Sequence, residues 1–215
     1  MKKRIFVTAT NTDIGKTYIT KLLLREYASR GLKVGVMKPV ETGVVDGKYP
    51  DGEMLLALVQ ELNPAMYTLT VEDIVPVSYE LPAAPFIASN GEKFNRAKVL
   101  EAIQKIEPLC DILLIEGAGG VYVPLDKEIM ILDLIKELEA SALLVTHCSL
   151  GCINDTLLSK KALIDADIAH AVVFNCKESD KNFKDVSAPY FKAVDFPVLK
   201  TASDIDTLCD VLYNF

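Results

Sequence analysis

Positive charge is the first thing this chain lacks: 23 lysines and arginines face 30 aspartates and glutamates, a formal net charge of −7 at pH 7. Binding along a phosphate backbone needs a basic face, so nucleic acid is not expected as the main partner. Any polyanionic ligand must instead be held by a few local cations, a metal or backbone N–H groups. Long apolar runs are also missing. The longest, such as DILLIEGAGG and ALLVTH, fall well short of the roughly 20 residues that span a bilayer, so no membrane segment is expected. Disulfide signals are sparse. The five cysteines, Cys110, Cys148, Cys152, Cys176 and Cys209, are odd in number and form no CxxC, which argues against a disulfide framework. MKKRIF is basic, but VTATNTD follows in place of an apolar targeting segment, so a cytoplasmic location is expected. Repeats, low-complexity tracts and linkers are absent too, and 215 residues fit a single domain over 1–215 with a full core.

What is present is an alternation of short apolar runs with amphipathic stretches. RIFVTA (4–9), KVGVMK (33–38), DILLIE (111–116), SALLVTH (141–147) and AHAVVFN (169–175) read as buried strands. Residues 17–29 read as a helix with Ile19, Leu22, Leu23 and Tyr27 on one side, stopped by Gly31. Further helices are expected over 53–62, from an Asn95 cap to residue 107, through IMILDLIKELE, over 152–166, near 186–194 and near 202–212. Residues 64–94, interrupted by prolines, read as irregular structure with short elements. Strands without polar alternation, separated by helices, predict an α/β fold of three layers, a mostly parallel central sheet flanked by helices. In such a sheet function collects at the carboxyl ends of the strands.

The loop after the first strand is TATNTDIGKT, small and polar up to Gly15, with Lys16 and Thr17 opening the helix. Backbone N–H groups at a helix start point at an anion, and the helix dipole favours negative charge there. Lys16 would reach the β- and γ-phosphates and the Thr17 hydroxyl would ligate Mg²⁺, which makes the fold P-loop NTPase-like. The match to GxxxxGK[ST] is imperfect. Thr10 stands five residues before Gly15 and Ala9 six before, so the opening glycine is missing and an ordinary strand-to-helix turn is the rival reading. No GxGxxG follows the strand, which disfavours a nicotinamide enzyme. Glu116 ends the third strand ahead of Gly117, Ala118, Gly119 and Gly120, where a carboxylate can hold Mg²⁺ or its water and the glycines let a ligand approach the backbone. Lys38 ends the second strand on the same sheet edge as Lys16.

VTATNTDIGKT, MKPVETG, EGAGG and SLGCIN, in that order, resemble the dethiobiotin synthetase family over about residues 4–175, more weakly beyond Cys176. The resemblance implies ATP- and Mg²⁺-dependent joining of 7,8-diaminopelargonate with CO₂ to form the cyclic urea dethiobiotin. A carbamate would attack the γ-phosphate, and the second amine would close the resulting carbamic–phosphoric anhydride. Two mutually repelling anions then have to meet, so cations are needed at the rim. By the same resemblance Lys38 is the active-site lysine, with Lys16 and Thr12 at the transferring group and Thr42 contacting the diamine. Nucleotide contacts fall on Asp13, Ile14, Gly15, Lys16, Thr17, Tyr18, Asp51, Glu116, Gly117, Ala118, Gly119, Asn175 and Cys176, with Asn175 reading the base. The metal ligands are Thr17, Glu116 and Asp51, with Glu53 as the alternative to Asp51, which could also serve as the N-cap of the 53–62 helix. At the next helix start the free N–H groups of Leu150, Gly151, Cys152 and Ile153, with the Asn154 amide, would take the substrate carboxylate. In the family that helix end serves the partner subunit's site, which implies a homodimer. Ser149 stands where some relatives carry lysine, so less charge neutralisation of the diamine's carboxylate is expected there. The segment after Cys176 lacks a G-x-I-P step, so weaker discrimination between ATP and other triphosphates is expected.

Three rivals are weaker. His147, Cys148 and Cys152 lack the second half of a zinc motif, and buried apolar cysteines are the simpler reading. An amide ligase of the cobyrinic-acid type shares the loop and EGAGG, but such chains carry a glutaminase domain for which 215 residues leave no room. A partition-type nucleotide switch needs a second loop lysine and often an amphipathic tail, and neither is visible.

Overall fold

Strand β1 (Lys3–Ala9) is buried at every position from Ile5 to Ala9, as a strand must be when it has neighbours on both sides and layers on both faces. The computed structural model describes residues 3–201 and 203–215. In its six-stranded sheet β1 lies between β5 (Ile112–Gly120) and β6 (Ser141–His147). β2 (Val34–Met37) lies beyond β5, and β7 (His170–Asn175) and β8 (Leu199–Lys200) lie beyond β6. Every pairing in this sheet is parallel. Parallel neighbours need crossovers. These run through α1 (Lys16–Ser29), α2 (Pro50–Leu62), α3 (Val71–Ile74), α4 (Pro85–Ala88), α5 (Arg96–Ile106), α6 (Ile131–Glu137), α7 (Cys152–Asp165), α8 (Phe183–Val186) and α9 (Ala188–Ala193). The last helix, α10 (Ile205–Tyr213), returns to α1, where the buried Tyr27 hydroxyl donates to the Cys209 carbonyl at 3.0 Å. Among the described residues no helix is long and apolar enough to cross a membrane.

Strand order reverses at β1. The chain leaves it toward β2 on one side and later lays β6 and β7 on the other. Loops diverge at such a point and leave a crevice beyond the carboxyl ends, so the loop after β1 opens directly into it.

The five expected strands are present, and the differences have local causes. Helix α2 starts at Pro50, three residues ahead of the expected position, with Tyr49 at its N-cap. Proline at the first helical position has its φ already set and no N–H to lose. Asp51 therefore sits inside the first turn and is not the N-cap. Strand β5 continues to Gly120 instead of ending at Glu116, because Gly120 pairs with Ala9 of β1 past an irregularity in the register. Strands β3 (Val40–Thr42) and β4 (Val77–Tyr79) form a separate parallel pair inside segments that read as loop. Each follows a proline (Pro39, Pro76) and is too short to show a period. Strand β8, of two residues, is invisible for the same reason. Position 202, where the last helix was expected to begin, lies outside the described residues.

The segment between β5 and α6 is anchored by Asp126, 4% exposed, whose carboxylate accepts N–H groups from Phe94 at 2.9 Å, Glu128 at 2.8 Å and Ile129 at 2.9 Å. Burial alone would raise its pKa, but the three donors hold it below the usual carboxylate value. A depressed folded-state pKa contributes stability that is present above the unfolded value and lost as pH falls through the folded one. Melting curves between pH 5 and pH 2 should therefore show Asp126→Asn losing less stability on acidification than the wild type, from a lower starting point. Parallel curves for the two proteins would refute the assignment.

Candidate active site

Gly15, at the N-cap of α1, has a φ of 100°, in the left-handed region that favours glycine. A Cβ there would also collide with the Asn175 side chain, whose amide donates to the Ile14 carbonyl at 2.8 Å. The end of β7 thus ties down the loop after β1. Among the described residues no side chain caps α1, so its first-turn N–H groups remain available to an anion.

Lys38 directly follows β2 and Glu116 is on β5, next to the last paired residues of these neighbouring strands, Met37 and Ile115. The Lys38 ammonium donates to Glu116 Oε1 at 2.7 Å and to Asp51 Oδ2 on α2 at 2.7 Å. The Thr17 hydroxyl donates to the same Glu116 oxygen at 2.8 Å. Burial alone would lower the pKa of Lys38, but Glu116 and Asp51 outweigh it and raise the value well above the ordinary lysine range. Lys16, 8% exposed, shows the opposite balance. Burial holds its pKa below the usual value, Glu116 opposes this, and nearby Lys38 adds to it. The second Glu116 oxygen, Oε2, is buried with no partner among the described residues. A fully buried carboxylate oxygen without a donor is costly in a closed protein and is the place a cation would fill. Thr17, Asp51 and Glu116 supply the hard oxygen set that suits Mg²⁺. Glu53 does not reach this cluster; it accepts the Tyr49 N–H at 3.3 Å and steadies the start of α2.

These groups line one cavity of about 590 Å³ at the carboxyl edge of the sheet. Of the residues singled out from the sequence, it gathers Thr12, Asp13, Gly15, Lys16, Thr17, Lys38, Thr42, Asp51, Glu116, Gly117, Ala118 and Gly119. It also contains residues that sequence reasoning passed over, namely Glu41 and the 82–85 segment. Glu41 falls inside MKPVETG but has no legible role there, because its partners are backbone N–H groups ten and eleven residues further on. A cavity of similar size, about 610 Å³, opens among Arg4, Glu107, Ser141 and Phe215. Its arginine is already engaged by Glu107 at 2.5 Å and the Leu138 carbonyl at 2.8 Å, so the convergent unsatisfied chemistry lies at the other edge.

On the far side of the phosphate loop a second cavity of about 420 Å³ holds Asn11, Ile14, His147, Asp155, Asn175 and Asp180. His147 links Ser149 through Nδ1 at 2.5 Å and Asp155 through Nε2 at 3.0 Å, a chain the sequence did not reveal. The disulfide expectation is corrected here: Cys148 and Cys176 are bonded to each other. In the β6–β7 pairing His147 stands opposite Asn175, so the next residue on each strand is brought alongside its counterpart. Neither Cys148 nor Cys176 is therefore a free thiol. Tyr18 is half exposed on α1 and lines neither cavity, nor does Cys176.

Leu150, Gly151, Cys152 and Asn154, at the start of α7, also stand outside both cavities. Leu150 is 87% exposed, whereas the Cys152 side chain is buried and its N–H is spent on the Ser149 carbonyl at 3.1 Å. The expectation of free N–H groups throughout this turn is thus corrected for Cys152.

A family model described as an AAA domain matches residues 3–206. The ATP-dependent dethiobiotin synthetase BioD of Sulfurovum sp. (strain NBC37-1) is 46% identical over 193 residues, 90% of this chain and 91% of its own length. The protein of the same name from Wolinella succinogenes is 36% identical over 216 residues, 99% of each chain, so likeness continues past residue 175. Among solved structures, the septum site-determining protein MinD complexed with Mg-ADP from Pyrococcus horikoshii OT3 matches with a TM-score of 0.55 at 18% identity, over 100% of this chain and 87% of that one. At that identity the likeness is one of fold.

Proposed function

This chain belongs to the ATP-dependent dethiobiotin synthetase family, and from that premise we propose that it joins 7,8-diaminopelargonate and CO₂ into dethiobiotin at the expense of ATP. The observation that carries this reading is the meeting of Lys16 and Lys38 with Thr17, Asp51 and Glu116 around one cavity. One amine of the substrate attacks CO₂, and the carbamate so formed attacks the γ-phosphorus as ADP leaves. The second amine then attacks the carbamoyl carbon, the phosphate departs and the ring closes.

Each step brings anions together, and the residues answer that need. Lys38, its ammonium form favoured by two carboxylates, acts on the transferring oxygens as an electrostatic stabiliser. Lys16, partly stripped of water and short of anionic partners, gains them when a triphosphate enters. The open N–H groups of α1 receive the phosphates, Thr12 attends the transferring group and Thr42 the diamine. Thr17, Asp51 and Glu116 would hold Mg²⁺, which supplies positive charge to the phosphate oxygens when bound. Asn175, already fixed to the phosphate loop, borders the space for the nucleotide base. The exposed start of α7 lies outside the chain's own cavity, which fits a homodimer in which Leu150, Gly151 and Asn154 complete the other subunit's site. A cytoplasmic setting goes with this reading.

The deciding experiment supplies ATP, Mg²⁺ and bicarbonate with and without the diamine. Phosphate release should depend on the diamine and match dethiobiotin formed. Diamine-independent turnover would instead favour a nucleotide switch, a class with which the fold is shared.

A further inference from the structure

Glu41 lines the cavity from β3 and is 3% exposed. Its oxygens divide between two backbone donors in the first turn of α2: Oε1 accepts the Asp51 N–H at 2.7 Å, Oε2 the Gly52 N–H at 3.0 Å. These are two of the N–H groups that every helix start leaves without an internal partner, and a carboxylate there also meets the positive end of the helix dipole. Glycine at 52 keeps this approach open, since a Cβ would stand 3.0 Å from Glu41 Oε2 and 2.6 Å from Val75 Cγ2.

The backbone around Glu41 is fixed independently of α2. β3 pairs with β4 through Val40 with Val77, Glu41 with Ser78 and Thr42 with Tyr79, and the Lys38 N–H donates to the Ile74 carbonyl at 2.8 Å. The clamp therefore transmits the position of a pinned strand to the first turn of α2, where the N-cap Tyr49 has no capping side chain and Glu53 reaches back only to the Tyr49 N–H. Asp51 needs such support: its side chain is 37% exposed, and it meets Lys38 at 2.7 Å from the solvent side of the cluster.

Resting on the reading of Thr17, Asp51 and Glu116 as cation ligands, we propose that Glu41 is a positioning residue that holds Asp51 in the metal-binding geometry by clamping the first turn of α2. It acts through Asp51 and touches no reacting atom in this role. Mn²⁺ serves as the probe, its binding read from the electron paramagnetic resonance signal of the free ion with the full-length protein and a saturating non-hydrolysable ATP analogue. Glu41→Gln keeps the shape but removes one anionic acceptor. Glu41→Asp keeps the charge but shortens the reach. Each should weaken Mn²⁺ binding by about tenfold, the factor that corresponds to one charge-assisted hydrogen bond, while analogue binding without divalent ion stays at the wild-type value. In an Asp51→Asn background Glu41→Gln should cause no further loss, because the two residues act as one unit. Wild-type Mn²⁺ affinity in Glu41→Asp, or a full additional loss in the Asp51→Asn background, overturns the proposal. If Glu41→Gln fails to fold, Glu41→Asp decides the matter alone. The readout is ion binding, so failure of the diamine assay would sink the proposed reaction and leave this result standing.

Discussion

Lys38→Ala lowers turnover by about 10²–10³, the usual cost of removing one preorganised charge from a transferring group, and shifts nucleotide affinity by no more than about threefold. The separation follows from where the side chain is held. Lys38 stands on the Asp51 and Glu116 side of the cavity and not in the first turn of α1. In the proposed reaction its charge acts where carbamate and γ-phosphate meet, and ground-state binding of the triphosphate falls to Lys16 and the α1 N–H groups. Lys16→Ala should accordingly harm both nucleotide affinity and turnover. A second consequence concerns the cation. In the wild type the Lys38 ammonium neutralises the same two carboxylates that are proposed to hold Mg²⁺. Without it, Asp51 and Glu116 face each other uncompensated, so divalent-ion affinity should rise even as turnover collapses. Calorimetric titration of nucleotide and metal beside single-turnover kinetics separates these effects. Full activity in Lys38→Ala would remove its assigned role.

The other large effect belongs to Glu116→Gln. Glu116 is fully buried and takes both the Lys38 ammonium and the Thr17 hydroxyl on one oxygen. Neutralising it leaves Lys38 buried with Asp51 as its remaining carboxylate partner. Breaking one side of a buried pair costs about 3–5 kcal/mol, and the surviving Asp51 contact places this case near the lower end. For a protein of this size each kcal/mol moves the melting temperature by about 2–4 °C, so a fall of about 6–12 °C is expected in chelator-containing buffer. The wild type should gain melting temperature on addition of divalent ion, since a ligand that binds only the folded state stabilises it. Glu116→Gln should lose most of that gain. Equal melting temperatures and equal metal-dependent shifts for the two proteins would show that the orphan Oε2 atom marks no cation site.

The residues of the proposed active site differed in how plainly the sequence marked them. Lys16, Thr17, Lys38 and Glu116 could be read directly because each sits at the carboxyl end of a buried apolar run or opens the helix after it. Asp51 could be named but not placed, since a helix start set by Pro50 differs from one at Glu53 by almost a turn and redirects both acidic side chains. Glu41 lay inside MKPVETG, but its role could not be read, because a carboxylate that clamps distant backbone N–H groups leaves no pattern of side-chain types. Cys148 and Cys176 gave a misleading one: odd counts and missing CxxC motifs say nothing about two cysteines that follow paired residues on neighbouring strands.

The order of amino acids alone determined the five long strands of the main sheet and most of the helices between them, because apolar periodicity and helix-stop signals act over a few neighbouring positions. Tertiary structure decided which ends meet. Insertion of β5 between β2 and β1 brings Glu116 to Lys38 across 78 positions and to Thr17 across 99, distances over which no local pattern operates. Parallel hydrogen-bonded strands place residues of equal register side by side whatever their separation in sequence. The chemistry of this protein therefore rests on a register that no short stretch of the chain contains.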